Sequence, residues 1–331
     1  MPYVEASLAR SLLDTGMSEA EEFLNSSDRL LPVDVPPEKR AEQLMTRRIE
    51  MVRIFDGAER VSDDLAVEEP LEIQLETAAG ERRSLSITMR TPGDDEALAA
   101  GFLFSEGILD SPAQIESITP CGKPVPPSNS RNVVLVKVRE GVEVDFARLQ
   151  RNFYTTSSCG VCGKSSIEAL RVQGVAPSDE PDFVVDSDVL FGIAGTLLES
   201  QTAFHATGGL HASAIFNLHG KLIELAEDVG RHNALDKVIG RCFLSGRTPL
   251  LQTILLVSGR ASFELVQKAA VARIAVIVAV GAPSSLAVEL AAEMNMTLVG
   301  FLRDARFNLY TGVQRIKLLS EPVSGAQSTR S

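Results

Sequence analysis

The sequence predicts an α/β protein, a layered domain with a largely parallel core sheet joined to a smaller β-rich N-terminal subdomain. Three observations lead there. From residue 232 onward, strand-length apolar runs alternate with single helices. Those runs, at 253–257, 274–280 and 297–302, are almost continuously apolar, as strands buried on both faces are. Before residue 140 the pattern has period two instead, the mark of strands with one wet face. The chain of 331 residues also exceeds the roughly 250–300 that one core can serve, which favours two subdomains.

Taken in order, residues 1–48 read as an extension, probed by a short helix at 19–24 and broken by the Pro-rich stretch 31–37. The β-rich subdomain covers 49–158. In it Leu71, Ile73 and Leu75 alternate with Glu72, Gln74 and Glu76, and the pattern resumes at Leu85, Ile87 and Met89 after a turn, giving a hairpin. Residues 91–96 open a helix through Phe104 with acids in its first turn, and 132–138 is another strand. The α/β domain covers 159–323. It begins with a helix at 188–201, whose Val189, Leu190, Ile193, Leu197 and Leu198 share one stripe. A hairpin of 211–216 and 221–226 follows, then helices at 232–244, 263–272 and 286–294 between the buried strands. Residues 324–331 are a small, polar tail.

Composition excludes several classes of function. With 44 acidic and 32 basic residues the net charge is −12, which argues against nucleic acid or an anionic membrane as a general partner. The apolar run 274–288 is interrupted by Gly281, Pro283, Ser284 and Ser285, so it reads as strand, turn and helix start rather than a membrane span. The N-terminus shows no secretory pattern. Cys121, Cys159, Cys162 and Cys242 are too few for a disulfide scaffold, so the expected compartment is a reducing cytoplasm.

Parallel strands joined by crossover helices bring their C-terminal ends to one edge, where open α/β sheets bind ligands. Here those ends carry Ser258-Gly-Arg260, Gly281-Ala-Pro-Ser-Ser285 and Arg303-Asp-Ala-Arg306. Glycines admit a close backbone approach, helix N-termini offer free N–H groups, and arginines grip phosphate in a planar fork. The expected ligand bears phosphate; the competing reading makes Arg260, Arg303 and Arg306 separate surface ion pairs.

The sharpest local motif is Ser157-Ser-Cys159-Gly-Val-Cys162-Gly-Lys164. Its glycines predict a loop, and Lys164 with the helix start at 165–171 favours thiolate, which suits a nucleophile that carries sulfur as persulfide. Zinc would need more ligands than the pair supplies, and a P-loop would need a glycine where Ser158 stands. A thioredoxin-like dithiol remains a third reading. His205, His211 and His219 read as structural or solvated residues, Cys121 as a loop residue and Cys242 as a helix residue, both inert. The cluster Glu227-Asp-Val-Gly-Arg-His-Asn233 lies at the presumed binding edge, although Asp228 could merely cap a helix.

Together these segments resemble the FdhD family, accessory sulfur carriers for formate dehydrogenase. The matching stretches, in family order, are Thr91-Pro-Gly-Asp-Asp95 with Gly101-Phe-Leu-Phe-Ser-Glu-Gly107, the Cys159–Cys162 motif, and Thr207-Gly-Gly-Leu-His-Ala-Ser213. They continue with Glu227 through Lys237, Val257-Ser-Gly-Arg-Ala-Ser262, Gly281 through Ser285, and Phe301-Leu-Arg-Asp-Ala-Arg306. The resemblance implies a cytidine-deaminase-like fold and a sulfurtransferase. It implies that Cys159 bears the persulfide, with Cys162 as its loop companion, and that Phe301, Leu302, Arg303, Asp304, Ala305 and Arg306 form the cofactor-binding segment. The sulfur donor would be a cysteine desulfurase. The acceptor would be the molybdenum–bis(molybdopterin guanine dinucleotide) cofactor, bound before the formate dehydrogenase catalytic subunit receives it, with no tightly held metal of the carrier's own. The family is expected to be a cytoplasmic homodimer. Deamination is not implied: the zinc-binding His-x-Glu is missing at His205-Ala-Thr207 and His211-Ala-Ser213, and Ser158 replaces the proline before the first cysteine. The other readings left open are a non-catalytic cofactor chaperone and a P-loop-like nucleotide hydrolase.

Overall fold

The computed structural model describes residues 44–125, 130–144, 146, 175–178, 183–303 and 306–317. The Cys159–Cys162 motif, the helix expected at 165–171, Asp304, Ala305 and both chain ends lie outside the described residues.

The first described elements are β1 (Thr46–Phe55) and β2 (Gly57–Ala66), an antiparallel ribbon. The sequence reading missed it because its strands are rich in charge and expose both faces, so neither carries an apolar alternation. Cross-strand pairs support it instead, with the Arg48 guanidinium forked on Asp64 at 3.0 and 2.7 Å.

β3 (Glu69–Glu76) and β4 (Arg82–Arg90) form the expected hairpin, with Leu71, Ile73 and Leu75 buried and Glu72 and Gln74 between them half-buried. In β4 the expected apolar face is the outer one, since Thr88 and Ser86 stand opposite Leu71 and Ile73 and leave Ile87 and Met89 exposed. They are followed by α1 (Asp95–Ser105), β5 (Ile115–Val125) and β6 (Ser130–Val138). The sheet runs β4-β3-β6-β5, with β3 and β6 parallel. Cys121 belongs to strand β5 and not to a Pro-rich loop. Pro120 and Pro124 are tolerated there because β5 is an edge strand, and a register shift separates Cys121 from Pro124.

The second layer contains β7 (Val185–Asp186), α2 (Ser187–Ser200), α3 (Thr202–Thr207), β8 (His211–Asn217), β9 (Leu222–Asp228) and α4 (Arg231–Leu244). It continues through β10 (Thr253–Val257), α5 (Phe263–Val271), β11 (Val276–Ala279), α6 (Ser285–Glu293), β12 (Thr297–Arg303), β13 (Arg306–Thr311) and β14 (Ile316–Lys317). The large sheet runs β13-β12-β11-β10-β8-β9. Its centre, β10-β11-β12, is parallel as the crossover helices require, and β8, β9 and β13 add antiparallel flanks.

Both faces of this sheet are covered, which explains its unbroken apolar strands. Leu255, Ile277 and Leu298 face the core built by α1, α4, α5 and α6. Ile254, Leu256, Val276 and Val278 face the other way, under Leu190, Ile193 and Leu197 of α2. The β3–β6 sheet contributes Leu71, Ile73, Val134 and Val136 to the first of these cores, so the two sheets share one apolar interior.

The joint between them is the crossing of α1 and α4. A Cβ at Gly101 would lie 1.9 Å from the Asp236 carbonyl oxygen, and one at Gly240 would lie 1.8 Å from the Ala97 carbonyl oxygen. The backbones therefore touch, which only glycine allows. Phe104 and Phe243 pack beside the crossing with ring centroids 5.0 Å apart. Lys268 of α5 ties the pair together, donating to Ser105 at 2.8 Å and pairing with Asp236 at 3.0 Å and Glu106 at 3.2 Å. A Gly240→Ala substitution forces the helices apart and is expected to cost more than the ~1–3 kcal/mol of ordinary overpacking. Gly192→Ala in α2, where a Cβ meets nothing within 4 Å, is expected to stabilise by about 0.5–1 kcal/mol. Urea unfolding of the two variants checks both signs.

Candidate functional site

The C-terminal ends of β10, β11 and β12 converge as the alternation of strands and helices requires. Their glycines allow the junctions to stack: Gly281 N–H donates to the Gly259 carbonyl at 2.9 Å, and Phe301 N–H donates to the Gly281 carbonyl at 3.0 Å. A Cβ at Gly281 would come within 2.9 Å of that Gly259 oxygen, and one at Gly300 within 2.9 Å of Pro283 Cδ. The N-termini of α5 and α6 begin at the same edge, with Ser284 capping α6 through Ala287 N–H at 3.2 Å. The edge thus combines closely packed backbone with helix N-termini, the arrangement expected of an anion-binding rim.

β12 is deformed there. Its pairing with β13 shifts register between Gly300 and Arg303, and Phe301 has φ of 55°, a left-handed conformation that costs a non-glycine residue about 1–3 kcal/mol. The bulge leaves Phe301 exposed and Leu302 buried. It also sets Arg303 directly opposite Arg306 in the cross-strand register. Like charges at such a position repel, so this turn is held in a geometry that an anion would relieve. Arg303 Nη1 donates to the Val280 and Leu302 carbonyls at 2.9 Å each, which fixes the guanidinium at the strand ends. Arg260, at the neighbouring junction, is exposed.

Beside this rim, under α2, lies a cavity of about 540 Å³. Ala194, Leu197 and Leu198 of α2 form one wall, Gly208, Gly209, Leu210 and His211 another, and Ser258, Val280, Leu302 and Arg303 close it at the strand ends. Gln201 and Phe204 complete the lining from the α2–α3 joint. That joint is made by the buried Glu227, whose carboxylate accepts the Ala203 and Phe204 N–H groups at 3.0 and 2.7 Å. Burial raises the Glu227 pKa, although these bonds work against it. Of the residues the sequence singles out, Leu302 and Arg303 line this cavity, whereas Gln201, Phe204 and the α2 wall were not anticipated, because a lone glutamine at a helix end carries no periodic or motif signal.

Each histidine has a defined place. His205 Nε2 lies 2.7 Å from the Leu198 carbonyl, and His219 is exposed in the β8–β9 turn. His211 reaches the cavity and packs on Gly259. Burial lowers its pKa, and the nearby Arg231 and His232 lower it further against the opposing pull of Asp228. His232 lies 3.4 Å from Ser262 Oγ and 3.8 Å from Glu264, and its hydrogen bond holds the Glu264 carboxyl down at about 2. Burial pushes the Cys242 thiol up to about 11, in keeping with an inert side chain.

The buried side chains of the polar segment 227–237 brace the scaffold. Asp228 is fully buried and accepts from Thr91 N–H at 3.1 Å, Gly230 N–H at 2.8 Å and Asn233 Nδ2 at 3.0 Å. Lys237 pairs with it at 2.7 Å and donates to the Thr91 carbonyl at 2.8 Å. Asp228 does not cap α4: the N-cap is Gly230, without a side-chain bond. The network instead pins the β4–α1 connection to α4.

Known proteins share this chain's sequence pattern and its fold. The FdhD/NarQ family model matches residues 66–317. The chain is 50% identical over 284 residues to a sulfur carrier protein FdhD of Streptomyces avermitilis, covering 85% of this chain and 99% of that protein. It is 51% identical over 277 residues to the protein of the same name from Streptomyces coelicolor, covering 83% and 96%. A crystal structure from Desulfotalea psychrophila, described as a formate dehydrogenase accessory protein, matches with a TM-score of 0.62 and 24% identity. That match covers 82% of this chain and 100% of the other, and shares the fold.

Removing Lys237 leaves the Asp228 carboxylate buried and uncompensated. Lys237→Met is therefore expected to lose about 3–5 kcal/mol of unfolding free energy, with a large part restored by adding Asp228→Asn. Denaturant titration of the single and double variants checks the pairing.

Proposed function

The chain belongs to the FdhD/NarQ family, and from that premise we propose that it is a sulfur carrier required for formate dehydrogenase activity. In this reading Cys159, in the motif matched by sequence, attacks the terminal sulfur of a cysteine desulfurase persulfide. An S–S bond forms on Cys159, the bond to the donor cysteine breaks, and that cysteine leaves as thiol, a redox-neutral exchange. Cys162 stands beside it as the loop companion. The carried sulfur then goes to the molybdenum–bis(molybdopterin guanine dinucleotide) cofactor, the acceptor substrate, before the formate dehydrogenase catalytic subunit receives it. The protein works in the cytoplasm as a homodimer, without nucleic acid or membrane.

The observation that supports the acceptor half is the Arg303–Arg306 pair, opposite each other in the β12–β13 register, with Arg303 lining an apolar cavity. Phosphates of a guanine dinucleotide supply the anion this pair calls for, and the Gly281 and Gly300 junctions let such a ligand approach the backbone. The residues present fit the group: forked donors for phosphate and an apolar chamber for a heterocycle. Phe301 and Leu302 shape the segment, Leu302 lining the chamber and Phe301 exposed at its rim.

Sulfur loading is tested by incubating the protein with a cysteine desulfurase and cysteine and mapping the added mass by peptide mass spectrometry. The expected result is a +32 Da adduct on Cys159, absent in Cys159→Ala, together with loss of formate dehydrogenase maturation. Undiminished maturation by that variant would instead make the protein a cofactor-shielding chaperone. The acceptor half is tested by calorimetric titration with GDP, where Arg306→Ala is expected to weaken binding about tenfold through loss of a charge-assisted contact. Equal affinity would place the phosphates elsewhere.

A further inference from the structure

Among the described residues β1 and β2 pair as strands only with each other. A ribbon of two strands is marginal in water and gains stability when a further layer covers its apolar face. The register sorts its side chains onto two faces. One face pairs its polar groups internally, with Arg48 forked on Asp64 and Ser62 donating to Glu50 at 2.8 Å. On that face Ala66 lies against the α3–β8 loop, where a Cβ at Gly209 would stand 3.5 Å from it, while Val52 and Ile54 are exposed near the tip. The opposite face carries Ile49, Met51, Phe55, Val61 and Leu65, with Phe55 65% and Leu65 42% exposed. Arg47, Arg53 and Glu59 share this second face, and none of them makes an ion pair among the described residues.

The two strands carry opposite charge. β1 has three arginines against Glu50, whereas β2 has Glu59, Asp63 and Asp64 against Arg60. This makes the ribbon complementary to itself. When two ribbons face each other about a twofold axis running along their length, the rotation lays β1 of each over β2 of the other, at the height set by the intrachain register. Arg53 then meets the partner's Glu59, Met51 meets the partner's Val61, and Phe55 meets the partner's Gly57, which has no side chain to obstruct it. Both charge pairs recur by symmetry, on either side of an apolar centre.

We propose that this face of the β1–β2 ribbon is the surface on which a second copy of the chain docks, with the basic strand of each copy over the acidic strand of the other. This rests on the homodimer of the proposed function and deepens it by naming the surface and the pairs that fix its register. The two strands together supply the further layer that each ribbon lacks by itself. Opposite charges across such an interface select the register more than they add affinity, and like charges brought together there cost several kcal/mol. The ribbon is rooted against Gly209, which lines the cavity under α2, so the docking surface and the cavity are joined through the α3–β8 loop.

The test is sedimentation equilibrium of the full chain and of two charge-reversed variants. The wild type is expected to be a dimer, twice the 35.6 kDa of the chain. Arg47→Glu with Arg53→Glu makes both strands acidic, and Glu59→Lys with Asp63→Lys makes both basic. Each variant alone is expected to self-associate at least about a hundredfold more weakly, through like-charge repulsion. An equimolar mixture of the two is expected to recover the wild-type affinity as a heterodimer, because every β1 again meets a β2 of opposite sign. Recovery on mixing keeps the test decisive even if the ribbon of either variant is disordered by itself. Undiminished dimers of both variants place the interface elsewhere and overturn this inference while leaving the homodimer standing. A mixture that stays monomeric overturns the pairing of strand over strand, and the inference with it. A monomeric wild type, with the ribbon face covered by something other than a second copy, overturns the inference and the homodimer together, whereas persulfide formation on Cys159 is read independently.

Discussion

Two helix backbones in direct contact organise this protein. Gly101 and Gly240 let α1 and α4 approach until carbonyl oxygens of one occupy the space a Cβ would take on the other. Everything near the crossing follows from that closeness. No bulky apolar side chain fits at the point of contact, so Phe104 and Phe243 pack beside it and polar side chains brace it: Ser105, Asp236 and Lys268 on one side, Asp228 and Lys237 on the other. Burial alone would drive Lys268 toward the neutral form, but Asp236 and Glu106 reverse this and hold its pKa above the ordinary value. Interior ion pairs of this kind add little net stability, because desolvation offsets their attraction. They do penalise any other register, since a shifted helix would strand a charge.

The crossing also determines where the binding edge lies. Because α4 is fixed against α1, its N-terminus and the end of β9 are fixed too, and with them the Glu227 carboxylate that joins α2 to α3. That joint in turn carries Gln201 and Phe204 into the chamber under α2. A contact deep between the two layers is thereby linked, through covalent neighbours and hydrogen bonds, to a cavity at the sheet edge. The deformation of β12 works in the opposite sense. Phe301 in a left-handed conformation and two arginines face to face are unfavourable locally, and they persist because Phe301 N–H is held by Gly281 and Arg303 by two carbonyls. Local cost sustained by surrounding bonds is characteristic of sites prepared for a ligand.

Legibility in the sequence followed the physics of burial. β10 was readable residue for residue, since four consecutive apolar side chains after Thr253, bounded by polar turns, admit few other structures. The β3–β4 hairpin was visible as a hairpin, and β3 alternates as expected, but the facing of β4 was not legible: Ile87 and Met89 are exposed, because the cross-strand register puts Ser86 and Thr88 opposite Ile73 and Leu71. The β1–β2 ribbon was not, since neither of its faces supplies a pattern. β5 was hidden by prolines that only an edge strand accepts, and edge position is not a local property. The polar cluster at 227–237 could be found but not interpreted: capping, catalysis and interior bracing use the same residue types, and only coordinates show that Asp228 faces Thr91 and Lys237.

By itself the sequence determined the layered α/β class, the parallel strand core, and the edge where Arg303 and Arg306 gather, because period, apolar continuity and glycine placement are consequences of local chemistry. Tertiary structure alone decided that two glycines 139 positions apart would meet, that Arg303 would stand opposite Arg306, and that the buried Glu227 carboxylate would join α2 to α3. Those outcomes depend on how separate elements approach one another in space, and a side chain's bonding partners across the fold leave no trace in its immediate neighbours along the chain.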